Sequence, residues 1–320
     1  MLEGHGEAWR EWRAALASPR MHHAWILSGV QGIGKGAFAR AAAAELVAEP
    51  GVPQPAPGAH PDILIPEHPP ENKEEGKKRE AGDDYRRKRS IPIDEIRSLQ
   101  HRLTTRPTLG TRRAVIIDPA DDLEKSAVNA LLKSLEEPPA GTYFLLVTHR
   151  IGRLIPTIRS RCRILRFAPL GEGAMNAILA REAPQADGAT RGAAIAAAQG
   201  SPGAALAFVE QDLGKVHAVM QALLAEGDDD FARRGQLVAL FGTRQERERQ
   251  AAVLDLARAE LSRALAGASR ERQARIIAAH AELVRLSGQI MTYNFDPGLL
   301  AGEIGSLLAS TAATREAARP

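Results

Sequence analysis

Ala24-Trp-Ile-Leu-Ser-Gly-Val-Gln-Gly-Ile-Gly-Lys-Gly36 decides how the first half of this chain is read. An apolar run, Ala24–Ser28, leads into the glycine-rich stretch Gly29-Val-Gln-Gly-Ile-Gly34-Lys35-Gly36, and a helical pattern covers 36–49. Strand, glycine-rich turn and helix in that order are the context of a phosphate-binding loop. The chemistry needs Gly29, Gly32 and Gly34 so that successive backbone N–H groups can turn inward onto phosphate oxygens. It needs Lys35 to neutralise the outer phosphates, with the helix dipole helping. It also needs a Ser or Thr hydroxyl after the lysine to hold Mg²⁺, and here that residue is Gly36. Three readings stand open: a turn that binds nothing, a loop that holds ATP or ADP without efficient hydrolysis, and a working ATPase site.

Outward from this loop, short apolar runs alternate with helical patterns up to about residue 168, the mark of βαβ units and a parallel sheet. Further strands are expected at 62–65, 114–118, 143–148 and 163–167, with helices at 93–102 and 122–137. For the last helix Asp121 is placed to cap the N-terminus, Glu124 completes a capping box, and Pro138-Pro139 ends it. From Leu170 onward only Ala-rich helical periodicity remains, broken at glycine-rich points. The expected division is an α/β domain over 1–168, a small helical domain over 169–211 and an all-helical domain over 212–320, with 311–320 fraying.

Composition bounds the rest. Of 320 residues, 44% are hydrophobic but only 4% aromatic, so a core of Leu, Ile, Val and Ala is expected. The balance of 42 basic against 39 acidic residues neither demands nor excludes nucleic acid. No apolar run reaches the roughly 18 residues of a membrane helix, and the first residues lack the apolar centre of a signal peptide. A cytoplasmic protein is expected. The single Cys162 rules out an internal disulfide and any four-thiolate zinc site. His22, His23, His60 and His68 lack metal-ligand spacing, so no zinc is expected. Residues 67–89 are almost purely charged and read as a solvated mobile insert.

The second part of an ATPase site is defective too. Ala114-Val-Ile-Ile-Asp118 reads as a Walker B strand ending in its acid, but Pro119 stands where a carboxylate would orient the attacking water. Asp121 could substitute for that carboxylate, against its reading as a helix cap. Two missing parts in one chain point to a retired ATPase.

Asn129-Ala-Leu-Leu-Lys-Ser-Leu-Glu-Glu-Pro-Pro139, then Tyr143-Phe-Leu-Leu-Val-Thr148, then Ile158-Arg-Ser-Arg-Cys162 strongly resemble bacterial clamp-loader subunits of the AAA+ class. Gly200-Ser-Pro-Gly-Ala-Ala-Leu-Ala207 and His60-Pro-Asp62 are similar to the delta-prime branch of the DNA polymerase III set. The resemblance is dense from about Ala24 to Phe208. It implies an AAA+ α/β P-loop domain, a helical lid and a helical collar. It further implies a hetero-pentameric ring with gamma/tau motor subunits and a delta subunit, which opens the sliding clamp and closes it on primed DNA.

In that branch the chain is a non-hydrolysing scaffold, part of the polymerase holoenzyme, that supplies an arginine to a neighbour's site. The resemblance assigns this finger to Arg161, beside Ser160; such fingers are worth roughly 10³–10⁵ in rate elsewhere. Thr148 matches the polar residue that senses the γ-phosphate in active members, and Gly203 stands where their lid arginine would be. The four cysteines that many relatives carry are missing from 50–59, so no structural zinc is implied. The competing readings are an ATP-hydrolysing gamma/tau-like motor, and direct DNA recognition through Arg102, Arg106, Arg112 and Arg113.

Overall fold

A computed structural model describes residues 4–242, 246–290 and 293–313. The chain divides into two compact units, Met1–Pro169 and Leu170–Pro320.

The first unit is built on five parallel strands: β1 (Ala24–Ser28), β2 (Ile63–Leu64), β3 (Arg113–Ile117), β4 (Thr142–Thr148) and β5 (Arg163–Arg166). Their order across the sheet is β2-β3-β4-β1-β5. Side chains alternate between faces along a strand, and here both faces are covered. Trp25 and Leu27 enter one apolar cluster with Ile116, Leu145 and Leu165. Ala24 and Ile26 enter the other with Val115, Ile117, Phe144 and Leu146. Burial on both sides explains why these strands read as continuous apolar runs.

Helices α1 (Gly6–Leu16) and α2 (Lys35–Val47) fill the first face, while α4 (Ile93–Leu103), α5 (Lys125–Glu136) and the short α6 (Pro156–Arg159) fill the second. Helix α1 had no counterpart in the sequence reading. Its Trp9 and Trp12 are one turn apart and buried; Trp12 meets Trp25 edge to face at 5.5 Å, and Trp9 meets Phe38 at 4.3 Å. Aromatics are few, yet they concentrate in one face of this core.

Residues 67–89, expected as a solvated loop, are mostly exposed but contain helix α3 (Lys73–Ala81) and an antiparallel bridge between Pro70 and Arg87. The reason is local polar satisfaction rather than apolar burial. Asn72 caps the helix by accepting from Glu75 N, and the Glu75 carboxylate in turn accepts from Arg86 N at 2.6 Å and Lys78 Nζ at 2.8 Å.

The second unit is all helical: α7 (Glu172–Glu182), α8 (Gly188–Ala198), α9 (Pro202–Glu210), α10 (Gly214–Glu226), α11 (Ala232–Phe241), α12 (Arg247–Ala264), α13 (Arg270–Gln289) and α14 (Pro297–Ser310). One hydrophobic cluster runs through it from Leu170 to Ala309. The segments 169–211 and 212–320 share this core, and Gln199 Nε2 donates across to Ala259 O at 2.7 Å. Between α10 and α12 the buried His217 faces buried Glu260 at 2.9 Å. Thr311 and Ala312, expected to fray, are buried, and Ala313 N donates to Leu224 O; 314–320 lie outside the described residues.

Candidate functional site: a phosphate loop and a distant arginine

The glycine-rich loop leaves β1 at its C-terminal end, the end of a parallel sheet where ligands of such folds bind. Gly32 (φ 76°) and Gly34 (φ 100°) adopt left-handed backbone that other residues avoid. Gly29 passes so close to β5 that an added Cβ would lie 2.8 Å from Phe167 O. The loop thus has the curvature its sequence predicts.

Lys35 does not reach outward. It is 2% exposed, and its Nζ donates to Gly29 O at 2.7 Å and Val30 O at 2.6 Å, two carbonyls of its own loop. Burial lowers its pKa to about 8, against the opposing pull of Asp118 and Asp121.

Strand pairing brings the acid of β3 and the polar end of β4 to the same edge. Ile117 pairs with Leu146 and Ser28 with Thr148, which sets Asp118, Thr148 and the loop at one end of the sheet. Asp118 Oδ2 accepts from Arg40 Nη1 at 3.3 Å. That arginine is on α2, one turn beyond Gly36, and also donates to Gly36 O at 3.2 Å. Arg40 was not singled out by motif reading; its signal is its spacing of four from Gly36 on a helix.

Asp121 is not the helix cap that its spacing suggested. Residues Ala120–Asp122 form a 3₁₀ turn, α5 starts only at Lys125, and its N-cap Glu124 makes no capping bond. Asp121 instead holds the end of β4: it accepts from Thr148 Oγ1 at 2.9 Å, His149 N at 2.7 Å and Arg150 N at 3.3 Å. Thr148 is fully buried and its hydroxyl is engaged there. His149, also missed in the sequence, is kept towards neutrality first by burial and then by Lys35, against the pull of the three aspartates 118, 121 and 122. Burial raises the Asp122 carboxyl, although His68 contacts it at 3.1 Å and opposes the rise.

Arg161 and Ser160 stand elsewhere, before the start of β5. Trp25, at the start of β1, pairs with Arg163. At about 3.3 Å per residue, Arg161 is therefore more than roughly 13 Å along the sheet from its own phosphate loop. Its Nη2 pairs with Glu136 Oε1 at 2.8 Å, and its Nη1 donates to Thr157 O at 2.9 Å and Ser160 Oγ at 3.3 Å. Next to it, burial pushes the Cys162 thiol up to about 12, so no thiolate forms near neutral pH.

Other candidates take structural places. Arg113, grouped with Arg102, Arg106 and Arg112 as a phosphate-contacting cluster, is buried and donates to the carbonyls of Arg102, Thr105 and Arg106. The His60-Pro-Asp62 segment anchors β2 to β3, with the buried Asp62 accepting from Thr108 N and Leu109 N. His60 contacts Gln54 at 2.8 Å, and His23 contacts Leu135 O at 2.9 Å. Among the described residues, no group of three or more His, Cys, Asp or Glu is arranged to hold a metal ion. No helix among them is long and apolar enough to cross a membrane.

Comparison with known proteins gives this geometry a family. The chain is 35% identical over 192 residues to the DNA polymerase III subunit delta' of Pseudomonas aeruginosa, a match covering 56% of this chain and 53% of that one. It is 32% identical over 212 residues to the Escherichia coli subunit delta', covering 62% and 58%. The match thus spans little more than half the length of either relative. A DNA polymerase III gamma subunit-related protein of Thermotoga maritima aligns over 94% of this chain and 98% of its own, at 21% identity and a TM-score of 0.49. The family model described as DNA polymerase III, delta subunit, matches residues 4–171, more than half of the chain, and the chain belongs to that family.

Proposed function

We propose that this chain is the delta-prime-type subunit of a DNA polymerase III clamp loader: an AAA+ scaffold that does not hydrolyse ATP and donates Arg161 to a neighbouring ATPase subunit. The observation that carries the reading is the state of its own site. Position 36 offers no hydroxyl, Pro119 replaces the water-orienting carboxylate, and Asp118 and Lys35 are both engaged within the chain. The place of Arg161 supports the second half. It lies near the N-terminal end of β5, away from its own loop at the C-terminal end of the neighbouring β1, so a nucleotide that it serves belongs to another subunit. In that role its planar, permanently charged fork stabilises charge developing on the γ-phosphoryl oxygens.

In this reading 1–168 is the α/β domain, 169–211 the lid and 212–320 the collar that joins the ring. Its partners are gamma/tau and delta subunits in a hetero-pentamer, with the sliding clamp and primed DNA engaged through the assembly, in the cytoplasm. Any ATP or ADP at the loop is held without turnover, and no zinc is required. Gamma and tau subunits also match the sequence: that of Bacillus subtilis tau is 34% identical over 142 residues. An ATP-hydrolysing motor is therefore the alternative, and Gly36 and Pro119 weigh against it.

The test is ATP turnover by the purified chain and by a complex reconstituted with gamma/tau and delta. The expected result is no turnover alone, and DNA- and clamp-stimulated turnover in the complex that falls at least a hundredfold with Arg161→Ala while assembly persists. Turnover by the chain alone, lost with Lys35→Ala, would hand the function to the motor reading.

A further inference from the structure

Phosphate loops that hydrolyse nucleotide hold a divalent cation between the hydroxyl after the lysine and the acid on a neighbouring strand. The residues of this chain do not fit one. A Cβ placed on Gly36 would lie 2.3 Å from Asp118 Oδ2 and 3.2 Å from Arg40 Nη1. The Asp118 carboxylate thus stands in the space that a hydroxyl-bearing side chain would need. The same oxygen accepts from Arg40 Nη1 at 3.3 Å, and that nitrogen also donates to Gly36 O at 3.2 Å. One guanidinium therefore bridges both positions, 36 and 118, from which a metal would be held.

The two kinds of cation ask for different surroundings. Magnesium demands near-octahedral oxygen ligands at roughly 2.0–2.1 Å and gives up its water reluctantly. A guanidinium is weakly hydrated, always charged and content with a carboxylate and a carbonyl at hydrogen-bond distance. Position 40 follows 36 by one helical turn, so the arginine reaches this point from the same helix that the loop opens. Lys35 cannot take over, because its ammonium is committed to Gly29 O and Val30 O.

We propose that Arg40 is the built-in cation of this site: its guanidinium takes the place at Asp118 that a divalent metal holds in a hydrolysing loop, and the chain takes up no divalent metal there. The inference deepens the non-hydrolysing reading and rests on it for its biological sense, but it makes no use of Arg161. It also makes the loss of hydrolysis more than a missing hydroxyl, since the acid that would hold the metal is itself paired with Arg40.

The experiment measures Mn²⁺ binding to the full chain, with free Mn²⁺ followed by its electron paramagnetic resonance signal. The parent is expected to bind no more Mn²⁺ than Asp118→Asn does. Arg40→Ala, and Arg40→Gln as a variant that keeps a polar, helix-compatible side chain without the charge, are each expected to bind at least tenfold more tightly than the parent. Adding Asp118→Asn to either should return it to the parent level. A parent whose Mn²⁺ binding is lost with Asp118→Asn would overturn the proposal, and so would arginine variants that bind no better than the parent. A parent that binds Mn²⁺ at Asp118 yet gives no ATP turnover sinks this inference alone; turnover by the parent sinks the non-hydrolysing reading.

Discussion

Arg161 Nη2 lies 2.8 Å from Glu136 Oε1, which ties the turn before β5 to the C-terminal end of α5. The pair is half exposed, with Thr157 O and Ser160 Oγ as the further anchors of the same guanidinium. The arginine proposed to serve a neighbour's nucleotide is thus anchored by three groups of its own chain.

Glu136→Gln removes the charged anchor and leaves the other two. Because exposed pairs contribute little, the stability of the chain should change by less than about 1 kcal/mol. The guanidinium then spreads over more rotamers, and the stimulated ATPase of the reconstituted complex should fall a few-fold, far less than with Arg161→Ala. The measurement is kcat beside a urea melt. An unchanged kcat for Glu136→Gln alongside a collapsed one for Arg161→Ala would show that the anchor does not matter.

Gly36→Ser forces the Asp118 carboxylate to rotate, since the new Cβ would meet Oδ2 at 2.3 Å. A single short side chain has to move, so the expected loss is about 1–2 kcal/mol. ATP turnover should stay absent, because Pro119 still lacks the carboxylate that would orient water. Both are read on one preparation, by denaturant unfolding and phosphate release.

Trp12→Ala opens a cavity under the sheet. Trp12 is fully buried between Trp25 and Phe38, and truncations of this size cost about 3–5 kcal/mol. The loss should fall on the transition of the α/β unit. A change below 1 kcal/mol would mean that α1 is not packed as described.

Glu260 links pH to the stability of the helical unit. Burial pushes its carboxyl up, but His217 and Arg263 outweigh that and hold it below the ordinary value of 4.5. A carboxyl lowered in the folded state contributes stability that is present above its unfolded pKa and lost as pH falls through the folded one. The helical unit should therefore weaken as pH drops below 4.5. Glu260→Ala should cost about 1–3 kcal/mol at pH 7, since it strands the buried ring nitrogen of His217, and should flatten this acid limb. Thermal melts between pH 3 and 7 for parent and variant decide it.

Much of this was legible in the chain before any coordinates. Ala24–Ser28 was read with the bounds it adopts, and β3 and β4 within a residue at each end, because strands buried on both faces are marked by apolar runs; β5, with Arg163 and Arg166 exposed, was marked only by the short apolar stretch between them. Helix α1 was not read, because Trp9 and Trp12 sit among charged neighbours and only their spacing marks a buried face. The 67–89 insert is largely exposed, as a solvated insert is, but its helix was not read: that order comes from Asn72 and Glu75 meeting backbone and side-chain donors, and apolar content says nothing about that. Asp121 was misassigned because a cap and a clamp on another strand look alike in one dimension. Only the pairing of β3 with β4 brings Thr148 and His149 to it.

The sequence by itself determined the parallel α/β class, the glycine-rich loop, and the absence of a hydroxyl at 36 and an acid at 119. These are matters of residue type and local spacing, which the chain carries whatever its neighbours do. Tertiary structure alone decided what fills the resulting gap. Arg40 meets Asp118 across 78 residues, Asp121 turns to β4, and Arg161 rests on Glu136 at the other end of the strands from the loop. Those partnerships depend on strand order and helix placement, and non-local contacts of that kind leave no local pattern in a single sequence.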